Sequence, residues 1–181
     1  MKARHFTSIA AASLSLLLPA CASSDHEARP GLPDALKVPA TQVLSLEAWA
    51  TGVQIYECRA GKEDPSRFEW VFKAPEADLF DSKGKAIGKH YAGPTWESTD
   101  GSKVVGEVKA RDNGPDPNAI PWLLLSAKST SGKGILANTS SIQRIRTSGG
   151  KAPSDGCSQA KQGAEARVSY KATYTFYAAK P

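Results

Sequence analysis

From Thr41 to the end of the chain, apolar and polar residues alternate with period two, and turn residues interrupt the alternation at short intervals. The last segment is the clearest. Val168, Tyr170, Ala172, Tyr174 and Phe176 occupy one phase, and Arg167, Ser169, Lys171, Thr173 and Thr175 the other. Successive side chains of an extended chain point to opposite faces, so this pattern makes a strand with one wet face and one buried face. Leu44, Leu46, Ala48 and Ala50 repeat it, with a break expected at Thr51-Gly52; beyond the break Gln54, Tyr56 and Cys58 share one side. Phe68, Trp70 and Phe72 form another strand. Ala74-Pro75 is expected to end it, since proline cannot donate to a ladder. Asp81-Ser82-Lys83-Gly84, Gly93-Pro94 and Asp100-Gly101 read as turns. Residues 120–127 are the most apolar run of the domain and read as a central strand, with a short helix as the alternative. Residues 141–146 read as an edge strand with Ile142, Arg144 and Arg146 in one phase. The expected fold is all-β: an antiparallel sandwich or barrel-like domain of eight to ten short strands.

The N-terminus carries a different signal. Lys2 and Arg4 precede the apolar run 9–18, which is too short for a comfortable bilayer span of roughly 20 residues. Leu18-Pro19-Ala20-Cys21 follows and resembles the bacterial lipobox. That resemblance implies removal of residues 1–20 and acylation of Cys21, whose acyl chains would hold the protein stably at a membrane. Ala22 rather than aspartate follows the cysteine; by resemblance to enterobacterial sorting, this points to an outer-membrane lipoprotein facing the periplasm or the exterior. Secretion behind an ordinary signal peptide is the alternative. Residues 21–39 are polar and proline-rich, as expected of a tether, and residues 40–181 make the single β domain. With Cys21 lipidated, Cys58 and Cys157 remain in an oxidising compartment, where they are expected to pair; two buried free thiols are the alternative.

Composition narrows the functions. At 40% hydrophobic and 23% charged residues the chain is globular rather than disordered. The 23 basic residues less Lys2 and Arg4 leave 21 against 18 acidic ones, scattered and without a basic stripe, so no nucleic-acid partner is expected. There is no G-x-S-x-G elbow, no H-E-x-x-H and no dinucleotide fingerprint, and Gly149-Gly150-Lys151 runs into Ala152 where a phosphate loop needs a hydroxyl. One domain histidine rules out a histidine-rich metal site. No cofactor or metal is expected, a carboxylate calcium site being the one conceivable exception.

The remaining candidates cluster in residues 68–106. His90 titrates near neutrality in its unperturbed state, and pairing of 86–91 with 95–99 could bring it to Glu97 as a general base with its orienting carboxylate. The bland reading has His90 bonded to a loop carbonyl. Glu76 and Asp78, two apart on a strand, share a face and could serve binding or acid chemistry, or face solvent. Trp49, Trp70, Trp96, Trp122 and Tyr91 could stack on a sugar or fill the core. The candidate site is thus His90 and Glu97 for catalysis, with Tyr91, Trp96, Glu76 and Asp78 for binding.

G-V-Q-I-Y-E-C at 52–58, F-E-W-V-F-K-A-P-E-A-D-L-F-D at 68–81, G-K-H-Y-A-G-P-T-W-E at 88–97, P-D-P-N-A-I-P-W-L-L-L at 115–125 and S-I-Q-R-I-R-T-S-G-G-K-A-P at 141–153 together resemble the domain-of-unknown-function 3455 family of bacterial and fungal secreted proteins. The resemblance spans nearly all of 44–177. It implies an exported domain with two cysteines placed as here, and it supplies no catalytic residues. The expected function is a lipid-anchored envelope protein whose stapled β domain binds a small molecule, a glycan or a protein. A hydrolase or lyase built on His90 is one alternative, and a purely structural envelope component is another.

Overall fold

The computed structural model describes residues 31–181; Cys21 and the 1–20 segment lie outside the described residues. Eight strands follow one another: β1 (Gln42–Ala60), β2 (Phe68–Phe80), β3 (Ala86–Tyr91), β4 (Thr95–Ser98), β5 (Lys103–Asp112), β6 (Trp122–Ser131), β7 (Thr139–Gly149) and β8 (Glu165–Ala179). Each pairs antiparallel with the next, and β8 pairs back onto β1 to close a barrel. Of the two all-β architectures expected, the barrel forms. Closure removes the free sheet edges that an open sheet would have to protect.

Three strands are longer than the turn signals suggest. β1 runs through Thr51-Gly52 for 19 residues, because Gly52 is there for a close approach rather than a turn. A Cβ at Gly52 would stand 2.1 Å from the Glu76 carbonyl of the neighbouring strand. β2 runs through Ala74-Pro75. Its pairing with β3 begins only at Ala77, so Pro75 has a neighbour on one side alone, and its missing N–H costs no ladder bond there. β8 extends over 15 residues.

One end of the barrel is filled. Ala48, Ala50, Leu79, Val104, Leu136, Ile142 and Phe176 form its core, and Trp96 and Leu125 lie where that core meets the other half. Gly106 makes room for the indole of Trp96: a Cβ there would sit 2.9 Å from Cζ3 of Trp96. Leu136, from the β6–β7 loop, is held in place by the β4–β5 turn. Its N–H donates to Ser102 Oγ, which donates in turn to Asp100 Oδ1, while Ile135 N–H donates to Asp100 Oδ2. These bonds, led by that from the Ser102 hydroxyl, hold the Asp100 carboxyl down at about 2. Residues before 40, expected to be tether, also pack onto the barrel. Leu36, in a 3-10 turn (Asp34–Leu36) against β5 and β6, is fully buried, and its carbonyl accepts from Gln143 Nε2.

Candidate functional site

The opposite half of the barrel is hollow, and the strand lengths explain why. β3 and β4 turn back early at Gly93-Pro94, where Gly93 takes φ +96°. β2 therefore has no β3 partner before Ala77, and β5 has no β4 partner beyond Val105. Between these unpaired stretches lies a cavity of about 360 Å³, near the lower end of the roughly 300–1,000 Å³ typical of small-molecule sites. Phe72, Val108 and Arg111 line it from β2 and β5, and Gly93-Pro94 from the short hairpin. Phe72 and Val108 are 51% and 44% exposed although their strand phase turns them inward. Ile120, Leu123, Leu125 and Tyr174 give the interior apolar walls.

Besides Lys73, Arg111 and Tyr174, the polar groups of the cavity come from four strands. Gln54 and Tyr56 share the inward phase of β1; Tyr56 donates its hydroxyl to Gly150 O at 2.6 Å. His90 and Trp96 are direct cross-strand partners of β3 and β4. Arg144 of β7 lies opposite Tyr174 of β8. Its Nε and Nη2 both donate to Pro121 O, at 3.0 and 2.8 Å, fixing the β5–β6 loop over the cavity. Among the described residues four buried side-chain polar atoms have no hydrogen-bond partner: Gln42 Oε1, Gln54 Nε2, Trp96 Nε1 and Thr139 Oγ1. The two that are N–H donors, on Gln54 and Trp96, belong to cavity residues. Gln54 sits beside Tyr170, yet its Nε2 makes no hydrogen bond of ordinary geometry.

His90 is 3% exposed, stacked on Trp96 with centroids 4.4 Å apart, and 2.9 Å from Thr95 O through Nδ1. A carbonyl only accepts, so Nδ1 carries the proton and Nε2 is left an acceptor. Burial drives the His90 pKa down to about 3; the Thr95 hydrogen bond opposes this, and the Arg144 charge adds to it. His90 is a neutral imidazole at any ordinary pH, too weak a base for efficient proton abstraction near neutrality. Burial raises the hydroxyl pKa of Tyr56, Tyr170 and Tyr174, with the Arg144 charge acting against it in each.

The structure divides the six expected site residues by strand phase. His90 and Trp96 point into the cavity. Glu97 pairs with Lys89 on the outer face, where its carboxylate accepts from Tyr91 Oη at 2.8 Å and meets Lys103 at 3.2 Å. The Tyr91 hydrogen bond, and then that of Lys103, lowers the Glu97 pKa. His90 and Glu97 are thus one residue out of phase and form no dyad. Glu76, Asp78 and Tyr91 line an outer groove of about 270 Å³ with Lys89 and Arg167, and Arg167 pairs with Glu76 at 2.9 Å. Of the tryptophans, Trp96 alone lines the cavity; Trp49 is exposed, Trp70 donates to Asp155 O, and Trp122 packs against Gly114. They form no common stacking platform.

Cys58 and Cys157 are disulfide-bonded, joining β1 to the long β7–β8 loop. Cys58 N–H donates to Ala164 O and Gly163 N–H to Cys58 O beside it. The β7–β8 loop therefore has a fixed place at the open end of the barrel.

The matched family profile covers residues 39–178, β1 to β8 almost entire, under the description Protein of unknown function (DUF3455). The chain belongs to this family. No curated protein and no solved structure matches it. For this DUF3455 domain the functional reading therefore rests on its own residues. Gln54, Arg111, Arg144 and Tyr174 were not among the expected site residues. Gln54 and Arg144 carried a usable signal, since each is a polar residue in the inward phase of its strand.

Proposed function

We propose that this DUF3455 protein is a lipid-anchored envelope protein whose barrel captures a small molecule in the cavity beside the Gly93-Pro94 turn. The observation that carries the reading is a cavity with apolar walls, two of whose lining residues, Gln54 and Trp96, carry buried N–H donors without acceptors. Buried donors are satisfied in the great majority of cases, and leaving one unpaired costs about 1–3 kcal/mol. A bound molecule with acceptor atoms would recover that cost. The rigid disulfide-tied end and the filled opposite end suit capture without large rearrangement. The anchor is supported by Leu18-Pro19-Ala20-Cys21.

The test uses the full chain with Cys21→Ser, purified without detergent, and a neutral naphthylamine fluorophore that brightens in apolar surroundings. Wild-type cavity sequence should bind it, and Val108→Trp, which places a large ring at the mouth, should weaken binding at least fivefold with little change in Tm. Equal binding by both chains, or none by either, defeats the reading. The same Cys21→Ser exchange should move the protein from the membrane fraction to the soluble one; continued sedimentation with membranes would remove the lipid anchor from the proposal.

A further inference from the structure

We propose that the captured molecule is an amphipathic carboxylate, its anionic head held at Arg144 and its apolar body leaving between Phe72 and Val108. This rests on the capture reading above and specifies its ligand.

The charges around the cavity are one-sided. Lys73, Arg111 and Arg144 line it, and no aspartate or glutamate does. Lys73 is neutralised from outside by Glu165 at 2.7 Å and Glu57 at 3.3 Å. Arg111 and Arg144 form no ion pair among the described residues. Arg144 is half-buried between Leu123 of β6 and Tyr174 of β8, its cross-strand neighbours. A guanidinium has five N–H donors; Arg144 gives two to Pro121 O and has the Tyr174 hydroxyl within reach of a third, which leaves two. A cation removed from water without a counter-charge is costly, and a carboxylate is the planar acceptor a guanidinium matches best.

The neutral groups agree with an acceptor-rich head. Gln54 Nε2 and Trp96 Nε1 are donors without acceptors, and His90, whose protonation would add a second positive charge, stays neutral. A carboxylate supplies about four lone-pair sites, enough for Arg144 and a neighbouring donor together. The rest of the surface asks for hydrocarbon: Leu123, Leu125 and Ile120 inside, then Phe72 and Val108 exposed at the mouth. Arg111, exposed at the rim, adds positive potential that draws an anion inward.

The experiment is competition against the bound naphthylamine fluorophore on the full Cys21→Ser chain, with decanoate, decanol and decylamine as probes of one tail and three heads. Decanoate should displace the fluorophore at least tenfold more effectively than decanol, and decylamine least of all. Arg144→Met should erase the preference for decanoate over decanol, and Arg144→Lys should retain part of it. Should Arg144→Met not fold, the head-group series on the unsubstituted cavity decides. Equal displacement by decanoate and decanol overturns the carboxylate inference and leaves the capture reading standing. Failure of all three to displace a fluorophore that does bind also overturns it. Failure of the fluorophore itself to bind removes the capture reading beneath it.

Discussion

Gln143 and Gln54 are both buried, 1% and 2% exposed, on opposite faces of the barrel wall: Gln143 looks outward beneath the N-terminal turn, Gln54 inward. Gln143 is fully engaged: Nε2 donates to Leu36 O, and Oε1 accepts from the Thr175 and Tyr177 hydroxyls. Gln54 faces the cavity with its Nε2 unpartnered. The same side chain is thus a strut in one place and an open hydrogen-bond donor in the other. The surroundings follow suit. Around Gln143, on the outer face, the N-terminal turn, β7 and β8 are bonded into one unit, while Gln54 looks into the cavity that opens between β2 and β5. The outer face of the wall is tied up in internal hydrogen bonds, and the inner face at Gln54 is left open to a ligand.

The strongest way to break this contrast is at the staple. Removing the disulfide with Cys58→Ser and Cys157→Ser frees a loop spanning 99 residues and should cost about 4–5 kcal/mol in denaturant unfolding. Hydrogen exchange should speed first in the open half, around 150–164. Uniform acceleration across both halves would show that the two ends unfold as one and blunt the comparison.

The glutamines themselves give the next test. Gln143→Leu removes the acceptor of the Thr175 and Tyr177 hydroxyls and the donor to the Leu36 carbonyl, so about 2–4 kcal/mol should be lost. Gln54→Leu removes a buried donor that has no acceptor, so stability should hold or rise by up to about 1–3 kcal/mol while ligand capture weakens. Equal losses at both positions would contradict the division into strut and donor.

His90 gives a test that works through pH. Its folded pKa of about 3 lies below the unfolded value of 6.5, so between these values the unfolded chain binds the extra proton. Stability from this group is therefore full above pH 6.5 and is lost as pH falls towards 3. From pH 6 to pH 4 the wild-type chain should lose about 2 kcal/mol more than His90→Phe. Parallel stability curves for the two chains would mean that His90 is not held neutral in the cavity.

How much of this was legible beforehand can be read from single residues. The alternation through 168–176 predicted β8 because a half-buried strand leaves its mark on every second residue. Thr51-Gly52 and Ala74-Pro75 misled because glycine and proline mark turns, but they also mark close approach and a missing neighbour. Which of these applies depends on the partner strand, which local sequence does not name. In the candidate site, His90 and Trp96 were found because rare chemistry is visible in composition. Glu97 was joined to His90 by nearness along a hairpin, although residues one step apart in strand phase face opposite ways.

Period two, turn spacing and residue type determined the strand content, the all-β class and the inward phase of Gln54, Tyr56, Ile142 and Arg144, since each depends only on neighbours along the chain. Only the tertiary structure decided that the sheet closes, that Cys58 meets Cys157, and that β3 and β4 stop short so that a cavity remains. Those outcomes depend on which strands lie side by side and how far each extends past its partner, and contacts between residues distant in sequence settle both.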